Sequence, residues 1–279
     1  MSRACQVLQV TTSGYYAWKQ RGESSRQWDD QRLSQEIRRI FHEGRGVYGS
    51  PRVHAVLQQQ GWRCSRKRVV RLMRQAGCVA QRKHYKTQTT DSHHCHPVAP
   101  NLLQRDFLAQ RPNEKWVGDI TGIWTQQGWL YLAGIVDCYS RLVVGWAMSA
   151  TRDEGLVANA LQMALERRHP GEGLLHHTDR GSQYTSGGYR ALLAERGITV
   201  SMSRKGNCWD NALMESVWAT VKGECADRQQ FPTLQAARTI LFEYLEVFYN
   251  RQRVHSSLGY QSPANFEQSH LSSVSLKTP

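Results

Sequence analysis

Apolar side chains between residues 29 and 80 recur at the three- and four-residue spacing of amphipathic helices. The first stripe follows the acidic pair Asp29–Asp30, which suits a helix N-terminus. A second helix is predicted to have Ser50 as its N-cap and Pro51 as its first residue, and a third to have Ser65 as its N-cap. The stripe of the first helix consists of Leu33, Ile37, Ile40 and Phe41.

Two short helices joined through a glycine, the second with a cationic exposed face, are typical of a helix-turn-helix. We therefore predict a small all-α, helix-turn-helix-like DNA-binding domain over residues 29–80, preceded by a helical segment over residues 1–28. The predicted DNA contacts are Lys67, Arg71 and Arg74. An ordinary solvated helix face is the alternative for these cations.

From residue 115 onward the pattern becomes that of strands. Three runs rich in β-branched and aromatic residues, separated by short turns, predict three consecutive antiparallel strands. A helix, a strand, a helix, a strand and a helix over residues 212–224 are predicted to follow. The order βββαβαβ predicts an α/β fold with a mixed five-stranded sheet and flanking helices over residues 109–228.

Two segments lie outside these domains. Residues 81–108 are polar, lack an apolar period and are predicted to be an exposed linker. A zinc site at the cluster His93, His94, Cys95 and His96 is disfavoured, because four adjacent residues cannot surround one tetrahedral ion. Residues 229–279 are predicted to form a C-terminal helix and a basic tail.

The longest apolar stretch, residues 129–136, is far shorter than the ~20 residues that span a bilayer. The N-terminus lacks the apolar core of a secretory signal. The seven cysteines are odd in number and scattered without a pairing pattern. We therefore expect a cytoplasmic protein with reduced thiols and no membrane partner.

The formal net charge of +13 is unevenly distributed. Residues 1–105 contain 19 Lys and Arg against 6 Asp and Glu, whereas residues 106–279 contain 17 of each. Clustered cations gain free energy by releasing counterions from phosphates. The asymmetry favours a nucleic-acid-binding half joined to a half with another task, over a merely soluble basic surface.

Three carboxylates are the candidate catalytic groups. Asp119 lies within a mostly apolar strand, where an acid is costly unless it meets a cation or a strong donor. Asp179 ends the fourth strand, and Glu215 lies in the helix after the fifth. Asp210 and Glu246 share the 36-residue spacing of Asp179 and Glu215, but a helix N-cap and an amphipathic helix explain them.

Oxygen ligands of this kind suit hard divalent cations such as Mg²⁺. Two such ions can activate an attacking oxygen and stabilise a leaving one, so that phosphoryl transfer needs no cysteine or histidine nucleophile. The nucleophile would then be water or a DNA 3′-hydroxyl.

On these residues the chain resembles a known family. Asp119 in W-V-G-D-I-T, Asp179 in H-T-D-R-G-S-Q-Y and Glu215 resemble the catalytic core of retroviral-integrase-type transposases, and the strand order is similar to the RNase H fold. More closely, the chain resembles the second-reading-frame (OrfB) product of two-frame bacterial insertion sequences. The matching motifs are V-L-Q-V-T-T-S-G-Y-Y-A-W (7–18), V-Y-G-S-P-R-V (47–53), S-R-K-R-V-V-R-L-M-R (65–74), G-N-C-W-D-N-A-L-M-E-S (206–216) and Y-N-R-Q-R-V-H-S-S-L-G-Y-Q-S-P (249–263).

The resemblance implies roles for single residues. The three carboxylates would bind two Mg²⁺ or Mn²⁺ ions, and Lys222 would contact the DNA near the cleaved phosphate. Residues 206–211 would form a mobile loop that engages a DNA end, although Trp209 is equally compatible with core packing. Arg251 and Arg253 match a C-terminal basic segment, where phosphate contact and structural bonding remain equally open.

The resemblance also implies an insertion-sequence transposase that cleaves DNA at the terminal inverted repeats of its element and joins the 3′-hydroxyl to target DNA. We expect a homo-oligomer on DNA, association with the nucleoid, and fusion or association with the first-frame product, because the chain starts without the upstream region that this product supplies. The alternatives are a non-joining RNase H-type nuclease and a DNA-end-binding repressor without catalysis.

Overall fold

The computed structural model describes residues 2–20, 22, 24–80, 98–205 and 207–275. The chain divides into two compact units, Met1–Gln81 and Arg82–Pro279, which are described separately below. None of the helices within these residues combines the length and the apolar character that crossing a membrane requires.

The first unit is all-α. Its helices are α1 (Ser2–Val7), α2 (Thr12–Gln20), α3 (Ser25–Glu43), α4 (Ser50–Gln59) and α5 (Arg66–Gln75). Helices α3, α4 and α5 pack against one another in all three pairings. Their shared core contains the apolar stripes expected from the sequence, with Leu33, Ile37, Ile40, Val53, Leu57, Val69 and Leu72 all buried.

The helix starts differ in part from the prediction. Helix α3 begins four residues before Asp29, because Ser24 and Gln27 form a capping box that satisfies two backbone N–H groups. Helix α4 has Gly49 as its N-cap, so Ser50 is its first residue and not its cap. Ser65 is confirmed as the N-cap of α5, where its hydroxyl accepts from the Arg68 N–H.

The second unit is built on a mixed five-stranded sheet, which confirms the predicted fold class. The strands are β1 (Lys115–Thr125), β2 (Gly128–Asp137), β3 (Val143–Ser149), β4 (Leu175–Thr178) and β5 (Thr199–Met202). Their order is β3-β2-β1-β4-β5. The first three pair antiparallel, as predicted, and β4 lies parallel to both β1 and β5.

The helices of this unit are α6 (Glu154–Arg168), α7 (Ser182–Thr185), α8 (Gly187–Glu195), α9 (Ala212–Glu224), α10 (Leu234–Glu243) and α11 (Pro263–Ser275). Helix α6 lies against β2 and β3, where Gly145 leaves room for the Ala160 carbonyl and the Ala164 methyl. Helix α9 has its predicted bounds, whereas the single-turn α7 was not predicted. A π-helix, Tyr244–Gln252, continues α10 and is mostly buried.

The linker prediction falls largely on residues 81–97, which lie outside the described residues. The disfavoured zinc cluster at His93, His94, Cys95 and His96 lies there as well. Residues 98–108 are described and are not helical or extended.

Candidate active site

Asp119 lies in the middle of β1, opposite Gly134 of β2. Its Oδ1 atom accepts from the backbone N–H of Ile120 at 2.8 Å, and its Oδ2 atom accepts from the Trp218 indole N–H at 3.2 Å. These donors hold the carboxylate in one orientation on a strand that is paired on both sides.

Parallel pairing of β1 with β4 brings the second acid to the first. The register places Val117 opposite His177. Asp119 and Asp179 each come two residues later in the sequence, and the two segments of the chain run in the same direction there. The Oδ1 atom of Asp179 accepts from the Gly181 N–H at 2.9 Å, which fixes the turn after β4. The two acids, 60 positions apart in the sequence, therefore meet at the same place on the sheet.

A buried histidine pair stiffens β4 just before Asp179. His177 hydrogen-bonds the hydroxyls of Ser201 and Ser203 at 2.8 and 3.1 Å, and His176 hydrogen-bonds the Tyr189 hydroxyl at 2.7 Å. Burial lowers the pKa of His176 to about 3 and that of His177 to about 4, so both rings are neutral at pH 7. The sequence contains H-H before Asp179, but no pattern indicated that the pair is structural.

The proximity of the two aspartates affects their protonation. Burial, with the negative charge of Asp179 as the next contribution, raises the pKa of Asp119 to about 8. The Tyr184 hydroxyl is buried near both acids. Burial is the largest cause that raises the pKa of Tyr184 well above its ordinary value, and the negative charges of Asp119 and Asp179 are the next. A cation beside this pair would relieve the repulsion between its carboxylates.

Glu215 lies on α9 and lines the same cleft as Asp119, which has a volume of about 1300 Å³. Burial raises the pKa of Glu215 above its ordinary value. In the part of the chain that the structure describes, no three His, Cys, Asp or Glu side chains are gathered into a group that could hold a metal ion. The structure thus pairs Asp119 with Asp179 and leaves Glu215 in the cleft but outside that pair.

Two cations line this cleft as well. Lys222 is on α9, two turns after Glu215, and its contact with DNA stays a prediction. Arg152, between β3 and α6, was not predicted, and its positive charge opposes the upward shift in the pKa of Asp119. Nothing in the sequence around Arg152 signals that it lies near Asp119.

Trp218 is a further residue that the sequence reasoning missed. It lies on α9 one turn after Glu215, is buried, and donates to Asp119. Its ring lies against Gly134, where a Cβ atom would come within 2.6 Å of the indole. Trp218 thereby joins the helix of Glu215 to the strands β1 and β2 around Asp119.

The segment before α9 is held by a buried acid. Asp210 is completely buried and accepts from the guanidinium groups of Arg204 and Arg105 and from the Asn101 amide, at 2.8 to 2.9 Å. The Arg204 hydrogen bond outweighs burial and holds the pKa of Asp210 far below its ordinary range. The predicted N-cap role is therefore wrong, because this acid is the centre of an ion network.

Trp209 and Asn211 lie in the same segment. Trp209 is 67% exposed and lines the cleft, so the core-packing alternative is wrong. Asn211 is buried and donates its amide to the Gly118 carbonyl of β1 at 3.3 Å. Glu246 has the same sequence spacing from Asp210 as Glu215 has from Asp179. It accepts hydrogen bonds from the Trp146 indole and from Arg167, and it shares none of the hydrogen-bond partners given above for Asp210.

The two C-terminal arginines differ sharply. Arg251 is exposed, whereas Arg253 is buried and makes a bidentate pair with Glu224, both N···O distances being 2.7 Å. Burial disfavours the charge of Arg253, but the Glu224 hydrogen bonds outweigh it and raise the pKa of Arg253 above its ordinary value. The structure contradicts phosphate contact by Arg253, since its donors are engaged inside the fold.

In the first unit, the predicted DNA contacts of α5 also separate into two kinds. Lys67 and Arg74 are exposed. Arg71 is exposed as well, but it pairs with Asp30 of α3 at 2.6 Å, beside an equally short pair from Arg68. The hydrogen bond from Arg71, together with that from Arg68, holds the pKa of Asp30 below its ordinary value. Arg71 therefore helps to fix α5 on α3.

The raised pKa of Asp119 predicts a pH-dependent stability in the absence of divalent cations. Between pH 3.8 and about 8 the folded state keeps the proton that the unfolded chain releases, so stability falls as pH rises through this range. Asp119→Asn removes this loss. We expect the melting temperature of the variant, measured in EDTA, to exceed that of the wild type by at least about 3 °C at pH 8.5 and to match it near pH 4.

Two comparisons accompany this melting series. Asp179→Asn, which removes the repelling charge, should flatten the wild-type curve as well, and added Mg²⁺ should reduce the difference between wild type and Asp119→Asn. Parallel curves for the wild type and both variants would contradict the close acid pair.

Models of known domain families match both units. An integrase core domain matches residues 109–208, a second integrase core model matches residues 196–263, and an HTH-like domain matches residues 27–86.

Known relatives match over nearly the whole chain. The insertion element IS600 uncharacterized 31 kDa protein of Shigella sonnei is 44% identical, over 95% of this chain and 98% of the relative. Transposase InsF for insertion sequence IS3A of Escherichia coli K12 is 41% identical, over 96% of this chain and 93% of the relative. A chain of the simian T-cell lymphotropic virus intasome, solved in complex with PP2A regulatory subunit B56 gamma, has a TM-score of 0.48 and 16% identity, over 76% of this chain and 69% of that chain.

Proposed function

The chain belongs to the insertion-sequence transposases that carry an integrase core domain, and from that premise we propose that Asp119, Asp179 and Glu215 are its catalytic residues. A transposase with this core is a polynucleotidyl transferase, which breaks and forms phosphodiester bonds of DNA. The observation that carries the proposal is the meeting of Asp119 and Asp179 where β1 and β4 pair in parallel.

The three proposed carboxylates fit a divalent cation by their chemistry. Asp119 and Asp179 offer carboxylate oxygens, the ligands that Mg²⁺ and Mn²⁺ prefer, and their mutual repulsion favours a cation between them. Glu215 is the third ligand of the proposal. When bound, two such ions would supply activation of the attacking oxygen and stabilisation of the leaving one.

The chain's own residues orient this chemistry. The Trp218 indole and the Ile120 N–H keep the Asp119 carboxylate in place, and the Gly181 N–H does the same for Asp179. Lys222 and Arg152 place positive charge along the cleft, where a phosphate of the cleaved strand would lie. No side chain needs to form a covalent bond with DNA, because the nucleophile is water in cleavage and a DNA 3′-hydroxyl in joining.

The substrates of the proposal are the terminal inverted repeats of the element and a target DNA. Purified protein would be incubated with labelled DNA carrying the repeats that flank its gene, with and without Mg²⁺ or Mn²⁺. Metal-dependent nicks and joined products support the proposal. Nicks without joined products would favour a non-joining nuclease, and binding without nicks, also after fusion to the first-frame product, would favour a repressor.

DNA binding by the first unit is assigned to residues 29–80, with Lys67 and Arg74 of α5 as phosphate contacts. We expect Lys67→Ala/Arg74→Ala to make the negative slope of log affinity against log salt concentration shallower by about 2, since each lost phosphate contact contributes ~0.9. Arg39→Ala is the matched control, because this exposed guanidinium is already paired with Glu36 and Glu43. Equal slopes in a salt titration of both variants would remove α5 from the DNA interface.

The remaining parts of the proposal concern organisation. Residues 109–228 would form the catalytic core, 81–108 the linker and 229–279 a C-terminal extension that includes the exposed Arg251. Homo-oligomers would form on DNA, and the first-frame product and the nucleoid would be partners in the cell. Light scattering with and without repeat DNA, and co-purification with a tagged first-frame product, test these two points.

A further inference from the structure

Two tryptophans form an exposed pair at the tip of the β1–β2 hairpin. Trp124 and Trp129 are directly opposite in the antiparallel register, and their ring centroids are 5.2 Å apart at an interplanar angle of 74°. Although tryptophan usually buries most of its surface, these two are 61% and 46% exposed. Two adjacent tryptophan rings that are both largely exposed are typical of a binding site.

The pair has a fixed position. A Cβ atom at Gly122 would come within 3.1 Å of the Trp129 ring, so the absence of a side chain at Gly122 lets this indole lie against the backbone of β1. The Tyr131 ring edge lies close to the same position. Trp129 is therefore oriented before any ligand arrives, which reduces the entropy lost on binding.

Both rings line the cleft that contains Asp119 and Glu215, two of the three proposed catalytic residues. Asp119 lies on the same strand as Trp124, five residues earlier, and Glu215, Lys222 and Arg152 line the same cleft. Cations that follow a phosphate backbone, combined with exposed aromatic rings, are the elements by which proteins bind single-stranded nucleic acid. A fully paired duplex offers few ring faces, because its bases are stacked on one another.

We propose that Trp124 and Trp129 stack on unpaired bases of the DNA strand whose phosphate is cleaved at Asp119 and Asp179. This inference rests on the proposed function, since it assumes that the cleaved strand lies in this cleft. Stacking depends on the ring faces and not on base edges, so the contact would tolerate any sequence and would favour DNA ends that have been opened.

The test compares binding in the Asp179→Asn background, where no cleavage intervenes. Trp124→Ala/Trp129→Ala would be measured by fluorescence anisotropy at one salt concentration, with a blunt duplex and with the same duplex carrying unpaired nucleotides at one end. We expect the Kd for the unpaired end to rise by about tenfold, equivalent to about 1.4 kcal/mol, which is within the range for loss of one stacked base. The Kd for the blunt duplex should rise by less than about twofold. Trp124→Phe/Trp129→Phe should restore most of the difference.

Phe242→Ala is the matched control, because Phe242 is an exposed aromatic of the same unit that does not line the cleft. The melting temperature of each variant shows whether the variant is unfolded, since unfolding would weaken the binding of both DNAs equally. Equal losses for the two DNAs in a folded variant, or no loss for either, would overturn the stacking proposal. Failure of the proposed function would be seen separately, as cleavage that persists in wild-type background after loss of Asp119 or Asp179.

Discussion

Asp119→Asn, Asp179→Asn and Glu215→Gln should each reduce strand cleavage and strand joining by at least about 100-fold, as expected when a preorganised charge at the reacting phosphate is lost. Each change keeps the shape of the side chain and removes the charge that would hold a divalent cation. DNA affinity should stay within about twofold, because most of it comes from phosphate contacts by cations. Gel assays of nicked and joined products, with anisotropy for binding, measure both quantities.

Asp227→Asn is the matched control for these three variants. Asp227 lines the same cleft, so its replacement changes the local charge equally without touching the proposed ligands. It should retain most of the activity. Residual cleavage above one-tenth of wild type in any of the three variants would remove that residue from the catalytic set. A loss of cleavage of about 100-fold in Asp227→Asn as well would mean that any lost negative charge in the cleft impairs the reaction.

Arg253→Met should destabilise the second unit by about 3 kcal/mol, since breaking a buried ion pair leaves an uncompensated charge. Arg253 is buried, and its Nε and Nη2 atoms donate to Glu224 while Nη1 hydrogen-bonds His255. Glu224 also accepts from the Tyr244 hydroxyl at 3.0 Å. Urea unfolding of wild type and variant gives the difference. DNA binding by the fraction that remains folded should be unchanged.

Arg251→Met is the control for this measurement, because Arg251 is two residues earlier and exposed. Its stability should remain within about 0.5 kcal/mol of wild type. The double variant Glu224→Gln/Arg253→Met should regain part of the lost stability, since it also removes the unpaired carboxylate. An Arg253→Met protein of wild-type stability but weakened DNA binding would restore the phosphate-contact interpretation that the structure contradicts.

The sequence by itself determined most of the local structure. The periods of apolar residues identified α3, α4 and α5, because side-chain spacing along a helix directly reflects which face is buried. Runs rich in β-branched and aromatic residues, separated by short turns, identified the three antiparallel strands. Helix α9 was predicted with its observed bounds. The family was also identified from the sequence, through motifs that extend from residue 7 to residue 263, and the relatives confirm it.

Cap positions were predicted less well, because several residues near a helix start can satisfy the same N–H groups. Helix α3 begins at the capping box of Ser24 and Gln27 and not at the acidic pair Asp29–Asp30, and α4 has Gly49 and not Ser50 as its N-cap. The choice depends on local backbone geometry, which single-residue preferences do not contain.

Only the tertiary structure decided which charged side chains meet. Asp119 and Asp179 are brought together by the parallel pairing of β1 with β4, whereas Asp210 and Arg253 are enclosed by partners distant in the sequence. A lone charge costs several kcal/mol when buried, and a hydrogen-bonded partner of opposite charge offsets much of that cost. Since that difference depends on neighbours that folding supplies, the sequence could indicate candidate acids and arginines, while the packing of the sheet and its helices decided which of them lie together.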